Sequence, residues 1–371
     1  MLMITDRLMA LVLMTSVVLS CGRYSNDIHV RTIDCDEYAI SPTASDHIAD
    51  VAYIVLQGHI GQVDDLRISS DQIFVADYKN HIVSVYGFDG GLKGVINKVG
   101  RGPGEYIEIR AFAVDDRYVY ILDSFTRRIL FYDIKTLSFD HECSLPFHVW
   151  DFEILNDGGF VLACAPMQPG MTKESSLRYR VFITDSIMNV KKRMFEYEDS
   201  RSDAFAFRNY ISSFDDKVIY SSFDMDGYHV LSKDNGEVLE SVCIDFEHGL
   251  SDENRSVLSD VYGTGYSYQY DVPVMCDGYM MFKFVINNVG QEIMLSLNDC
   301  MFLSNSPDKV YKSIFGVKGS HEDLFISYWG DDQIYDMMIS NGFTRASVAD
   351  EARIKDGDTF LILYRMQLLT Y

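Results

Sequence analysis

The 371-residue chain carries 32 basic and 55 acidic residues, a formal charge of −23 with a pI near 4.6. A surface of that sign repels phosphate backbones, and no basic patch stands out, which excludes nucleic acid as a partner. Hydrophobic residues at 47% and aromatic residues at 13% provide for a large core and exclude global disorder.

Leu8 to Ser20 is an uncharged, mostly apolar run behind Arg7 and directly ahead of Cys21-Gly22. It is shorter than the roughly 20 residues that span a bilayer, but it fits the hydrophobic region of an export signal. Val18-Leu19-Ser20-Cys21 resembles the bacterial lipobox, in which the cysteine becomes acylated. That predicts a signal peptide over residues 1–20, lipidation of Cys21, and a lipid-anchored tether over 21–47, where the sequence is polar and contains Pro42. The expected location is the cell envelope, as an outer-membrane lipoprotein facing the periplasm or the exterior. Two or three acyl chains hold a membrane firmly, at about 0.8 kcal/mol per buried methylene.

From residue 48 onward the chain reads as strands. Ile73-Phe-Val-Ala-Asp-Tyr78 followed by Ile82-Val-Ser-Val-Tyr86 returns as Val119-Tyr-Ile-Leu-Asp-Ser124 followed by Arg128-Ile-Leu-Phe-Tyr132. Asp77 to Asp123 and Tyr86 to Tyr132 share one spacing of 46 residues (123 minus 77, 132 minus 86). Paired β-branched and aromatic runs at a period in the forties predict propeller blades, because one such sheet cannot bury both its faces alone.

Aligned on its inner strand, the pattern continues through Leu66, Phe112, Phe152 and Ile211, each followed by an Asp-, Asn- or Gly-rich turn. A fifth blade fits residues 272–305 and a sixth runs from 310 to the C-terminus, with 340–356 polar and poorly patterned. Ala52 to Leu56 lies ahead of the first blade and is expected to complete the last sheet. The predicted fold is an all-β six-bladed β-propeller over 48–371, with four-stranded antiparallel blades and a ring closed by an N-terminal strand.

Tyr53-Ile-Val-Leu56, Ile60-Gly-Gln-Val63, Ile73-Phe-Val-Ala-Asp77 and, above all, Val99-Gly-Arg-Gly-Pro-Gly-Glu-Tyr106 resemble the six-bladed β-propeller lipoproteins of Bacteroides-type bacteria, which are similar in shape to NHL-repeat propellers. The resemblance implies the propeller fold and export as a lipoprotein. It implies no particular reaction.

Val99 to Tyr106 matches neither the Walker nor the dinucleotide glycine spacing, and no helix follows it. It reads as a turning loop between blades, with Arg101 and Glu105 as alternative ligand-site residues. Residues at the starts of inner strands border a propeller's channel. The candidates there are Asp65, Arg110, Trp150, Asp151, Asn209 and Tyr210, with Asp64 and Asp271 beside them. Acids, an arginine, an amide and aromatics in one ring suit a sugar or peptide held by stacking and hydrogen bonds. Oxygen ligands from Asp65, Asp151, Asn209 and Asp271 would also suit calcium.

Apart from Cys21 there are Cys35, Cys143, Cys164, Cys243, Cys276 and Cys300, without a C-x-x-C pair, and most are expected as free, buried thiols. No Gly-x-Ser-x-Gly or His-Glu-x-x-His motif occurs. The favoured function is a membrane-tethered, non-catalytic module for a glycan, peptide or envelope protein. The alternative is a metal-assisted lyase or hydrolase with a cation in the channel.

Overall fold

The computed structural model describes residues 30–35, 47–58, 60–69, 71–164, 179–196, 207–223, 225–251, 265–303, 316–329 and 332–367. The expected export signal, Cys21 and most of the expected tether lie outside these residues.

Six antiparallel sheets follow one another along the chain. Blade one is built from Asp65–Ser69, Gln72–Asp77, Ile82–Gly87 and Leu92–Ile96, in that spatial order from the channel outward. Blade two repeats the order with Ala111–Val114, Tyr118–Asp123, Arg128–Asp133 and Phe139–Ser144. Blades three and four begin at Asp151–Ile154 and Ile211–Phe214, the inner strands expected from the alignment. Blade five begins at Val274–Cys276 and blade six at Val317–His321.

Hydrophobic packing shows how the sheets are arranged, since each interface between neighbouring blades has its own buried cluster. Phe74, Val83, Phe112 and Tyr132 join blade one to blade two, and Phe152, Phe160 and Phe131 join two to three. The series continues through four, five and six. It returns to the start where Leu361 and Ile326 of blade six meet Ile73 and Val75 of blade one. Each large side chain so buried contributes about 1.5–3 kcal/mol, and neither sheet of a pair could bury these faces by itself.

The period of 46 has a mechanical basis in two buried acids. Asp77 accepts from the Gln62 N–H at 3.1 Å and the Asn80 N–H at 2.9 Å. Asp123 accepts from the Ile107 N–H at 2.9 Å and the Thr126 N–H at 3.1 Å. Each carboxylate therefore ties the loop entering its blade to the turn after the second strand.

Two features differ from the sequence-based expectation. Val30–Asp34 is not slack tether but a fifth strand, parallel to Val238–Asp245 at the outer edge of blade four. Ile33 and Cys35 alternate inward onto the cluster between blades four and five, so the segment has an apolar face to bury. In the poorly patterned stretch of blade six two helices form, α1 at Asp332–Ser340 and α2 at Val348–Lys355. The Ser347 hydroxyl caps α2 by accepting from the Asp350 N–H, and Tyr335, Met338 and Ile354 turn into the core.

Among the described residues Cys35, Cys143, Cys164, Cys276 and Cys300 are free thiols, of which Cys300 is exposed and Cys143 half-buried. Burial pushes Cys143 up to about 11 and Cys276 up to about 12, which leaves both inert as nucleophiles near neutral pH.

The N-terminal strand Ile48–Val55 pairs antiparallel with Phe360–Met366 and forms the outermost strand of blade six. Arg353 of α2 donates to the Val55 carbonyl at 3.1 Å and the Leu56 carbonyl at 3.0 Å, where that strand ends. No helix among the described residues is long and apolar enough to cross a membrane.

Candidate functional site at the channel mouth

The inner strands of the six blades stand side by side around the channel. Side chains alternate along a strand, so Asp65 and Arg67 of blade one share a side, as do Asp151 and Glu153 of blade three. Asp65 accepts from the Tyr78 hydroxyl at 2.8 Å, from the Leu66 N–H at 2.7 Å and from the Arg67 guanidinium. Asp151 reaches across to blade four, where its Oδ2 accepts from the N–H groups of Tyr210 at 2.7 Å and Ile211 at 2.9 Å.

Burial governs the charges in this layer. It pushes the Asp151 carboxyl up to about 6, against the pull of the two peptide N–H groups and of Arg110 and Arg67. Burial works the same way on Glu153, but Lys233 and Arg67 outweigh it and hold that carboxyl below its usual range. Arg110, itself buried, is held below its ordinary value by desolvation and by the neighbouring Arg208.

Arginines take the aromatic faces. The Arg110 guanidinium lies 4.5 Å from the Trp150 ring centroid and donates to the Arg208 carbonyl at 2.8 Å. Arg208 in turn covers the Tyr78 ring at 4.0 Å. Each such cation–π pair contributes about 0.5–2 kcal/mol. Tyr210 is fully buried, so it offers no platform for a sugar ring.

Beside this network lies a cavity of about 190 Å³ lined by side chains from four blades, among them Asp64, Arg67, Asn209, Asp271, Lys283 and Lys318. Lys283 and Asp271 form an ion pair at 2.6 Å. Burial opposes the Lys283 charge, but Asp271 outweighs it and holds the ammonium above its usual range. Burial pushes Glu292, close by, up to about 7 despite Lys283 and Lys318. Lys318 is depressed by its own burial and by Lys283, with Asp64, Asp271 and Glu292 pulling the other way.

Of the residues singled out from sequence, Asp65 and Asn209 line the cavity, with Asp64 and Asp271 beside them. Arg110, Trp150, Asp151 and Tyr210 instead form the interblade network. Arg101 and Glu105 belong to neither. The Glu105 carboxylate folds back to accept from the Gly102 N–H at 2.7 Å, and Arg101 is exposed. That glycine loop is structural: Gly104 has φ +70°, and a Cβ there would sit 2.5 Å from the Phe139 ring. The Tyr132 hydroxyl donates to the Gly104 carbonyl at 2.7 Å.

Sequence reasoning missed Lys283, Lys318 and Arg208. Lys283 did leave a signal, since it is the one charge within the apolar strand Tyr279–Ile286. Lys318 left none.

The expected calcium ligands do not assemble. Asp65, Asp151 and Asp271 are drawn to separate protein donors, and Asp151 does not line the cavity that Asp65, Asn209 and Asp271 share. Among the described residues no three His, Cys, Asp or Glu side chains converge as a metal would require.

Residues 23–252, more than half of the chain, match the DUF5128 family, described as a 6-bladed beta-propeller. The chain belongs to this family. Among solved structures, a Bacteroides fragilis NCTC 9343 protein described as exported is similar at 17% identity and a TM-score of 0.73, over 92% of this chain and 100% of that one. A member of the DUF4221 family from Bacteroides vulgatus ATCC 8482 is similar at 10% identity and a TM-score of 0.53, over 86% of this chain and 97% of that one. At such identities the likeness is one of fold. No curated protein matches the sequence.

Proposed function

We propose that this protein is a non-catalytic recognition module of the cell envelope, tethered through Cys21, whose channel mouth receives the end group of a glycan, a peptide or a partner protein. The observation that carries the recognition half is the cavity itself. Side chains from four blades converge there, among them four cations and three carboxylates, and a concave pocket with converging polar groups is the default place for a ligand. The cavity is small for a whole drug-sized molecule, which suits one residue at a chain end.

The envelope half rests on the lipobox-like Val18 to Cys21 and on the family resemblance, and the exported B. fragilis neighbour accords with it. The NHL-like character of the repeat belongs to the same proposal. Lipidation places the Cys21 sulfur in a thioether, so it excludes a disulfide through that residue.

Binding of the purified protein to an array of glycans and peptides is expected to give hits that competitors at the channel mouth abolish. Mass spectrometry of the mature N-terminus is expected to find acyl chains on Cys21. Turnover of an array member without retention would overturn the recognition reading, and an unmodified or disulfide-bonded Cys21 would overturn the tether.

A further inference from the structure

The cavity holds four cations, and three of them have partners. Arg67 pairs with Asp65, Lys283 pairs with Asp271, and Arg208 lies over Tyr78 while donating to the Ile109 carbonyl at 3.4 Å. Among the described residues, no hydrogen bond or ion pair reaches the Lys318 ammonium, which is repelled by Lys283 and attracted, without direct contact, by Asp64, Asp271 and Glu292. A partly desolvated ammonium without a direct partner costs free energy, and an incoming anion would offset that cost.

The rest of the lining mostly accepts hydrogen bonds. The Ser212 hydroxyl donates its proton to the Pro273 carbonyl at 2.6 Å, and the Ser320 hydroxyl donates to the Met275 carbonyl at 2.7 Å. What both present to the cavity is lone pairs. The carboxylates of Asp64 and Asp271 add further acceptors. A matching ligand therefore carries one negative group and several hydroxyl protons.

Neutral sugars are commonly held by an aromatic face, and here the faces of Trp150 and Tyr78 are already covered by arginines. Charge and hydrogen bonds must supply the affinity instead. A peptide C-terminus brings the carboxylate, but few donors for a cavity of about 190 Å³.

We propose that the channel-mouth cavity binds an acidic sugar residue, its carboxylate held by the Lys318 ammonium and its hydroxyls donating to Ser212, Ser320, Asp64 and Asp271. This rests on the reading of the mouth as the recognition site. It adds the class of end group that the site selects.

Calorimetric titration of the full-length protein in detergent with glucuronate and with glucose isolates the carboxylate, because the two sugars differ only there. Glucuronate is expected to bind at least tenfold tighter than glucose. Lys318→Met is expected to remove that preference and Lys318→Arg to keep most of it. Equal binding of the two sugars by the unaltered protein overturns the proposal, as does undiminished glucuronate binding by Lys318→Met. If Lys318→Met does not fold, the glucuronate-to-glucose ratio of the unaltered protein decides alone. Tighter binding of triglycine than of glucuronate would overturn the acidic-sugar assignment while leaving a recognition site at the mouth. Array hits that the mouth does not compete for would overturn the site itself.

Discussion

Blades one and two and the channel mouth handle buried charge in opposite ways. In the blades, Asp77 and Asp123 recur at one spacing, and each is satisfied by peptide N–H groups of its own blade. At the mouth, Lys283, Lys318 and Arg208 have no counterpart at that spacing, and they meet across blade boundaries. Chemistry that repeats with the blade holds the blade together. Chemistry that does not repeat is free to recognise something else, and functional sites are where such departures from local rule are expected.

That contrast breaks most visibly at Asp123, which is fully buried. Asp123→Ala leaves the N–H groups of Ile107 and Thr126 unpaired and withdraws a carboxylate 3.7 Å from Arg128. The expected destabilisation is about 3 kcal/mol, at about 1–3 kcal/mol per orphaned buried group. Chemical denaturation measures it, and a loss under about 1 kcal/mol would mean that the repeated acid is not what fixes the blade.

A smaller effect, visible only against pH, is expected at Glu292. Burial raises its carboxyl from an ordinary 4.5 to about 7, so the folded protein holds this proton where the unfolded chain has released it. Stability contributed by this group therefore falls as pH rises from about 4.5 through about 7, and is level above that. Glu292→Gln removes the fall. Its melting temperature relative to the unaltered protein is expected to climb across that window, and a constant difference between pH 5 and 8 would contradict the assignment.

The smallest expected effect is the most telling for the comparison. Lys318→Met removes a partly desolvated cation with no direct partner among the described residues, so stability is expected not to fall and to gain up to about 1 kcal/mol, the cost of an unpaired charge that the apolar side chain does not carry. A loss as large as that of Asp123→Ala would place Lys318 with the fold rather than with the site.

Ile73-Phe-Val-Ala-Asp77 and its copy around Asp123 made the blades legible, because alternating apolar residues, turn chemistry and a recurring acid are all local signals. The channel-facing starts at Asp65, Asp151 and Ile211 followed from the same alignment. What went unread had no local period. The strand Val30–Asp34 is ordered by the blade it joins, and α1 and α2 are ordered largely by Tyr335, Met338 and Ile354 reaching the core between blades five and six.

The sequence by itself determined a ring of small sheets, since strand period and turn positions are carried by neighbouring residues. Only the tertiary structure decided which charges meet. Asp65, Arg208, Lys283 and Lys318 are distant along the chain and share a cavity because their blades come round to one mouth. Burial there, which no stretch of sequence encodes, sets how strongly each one needs a partner.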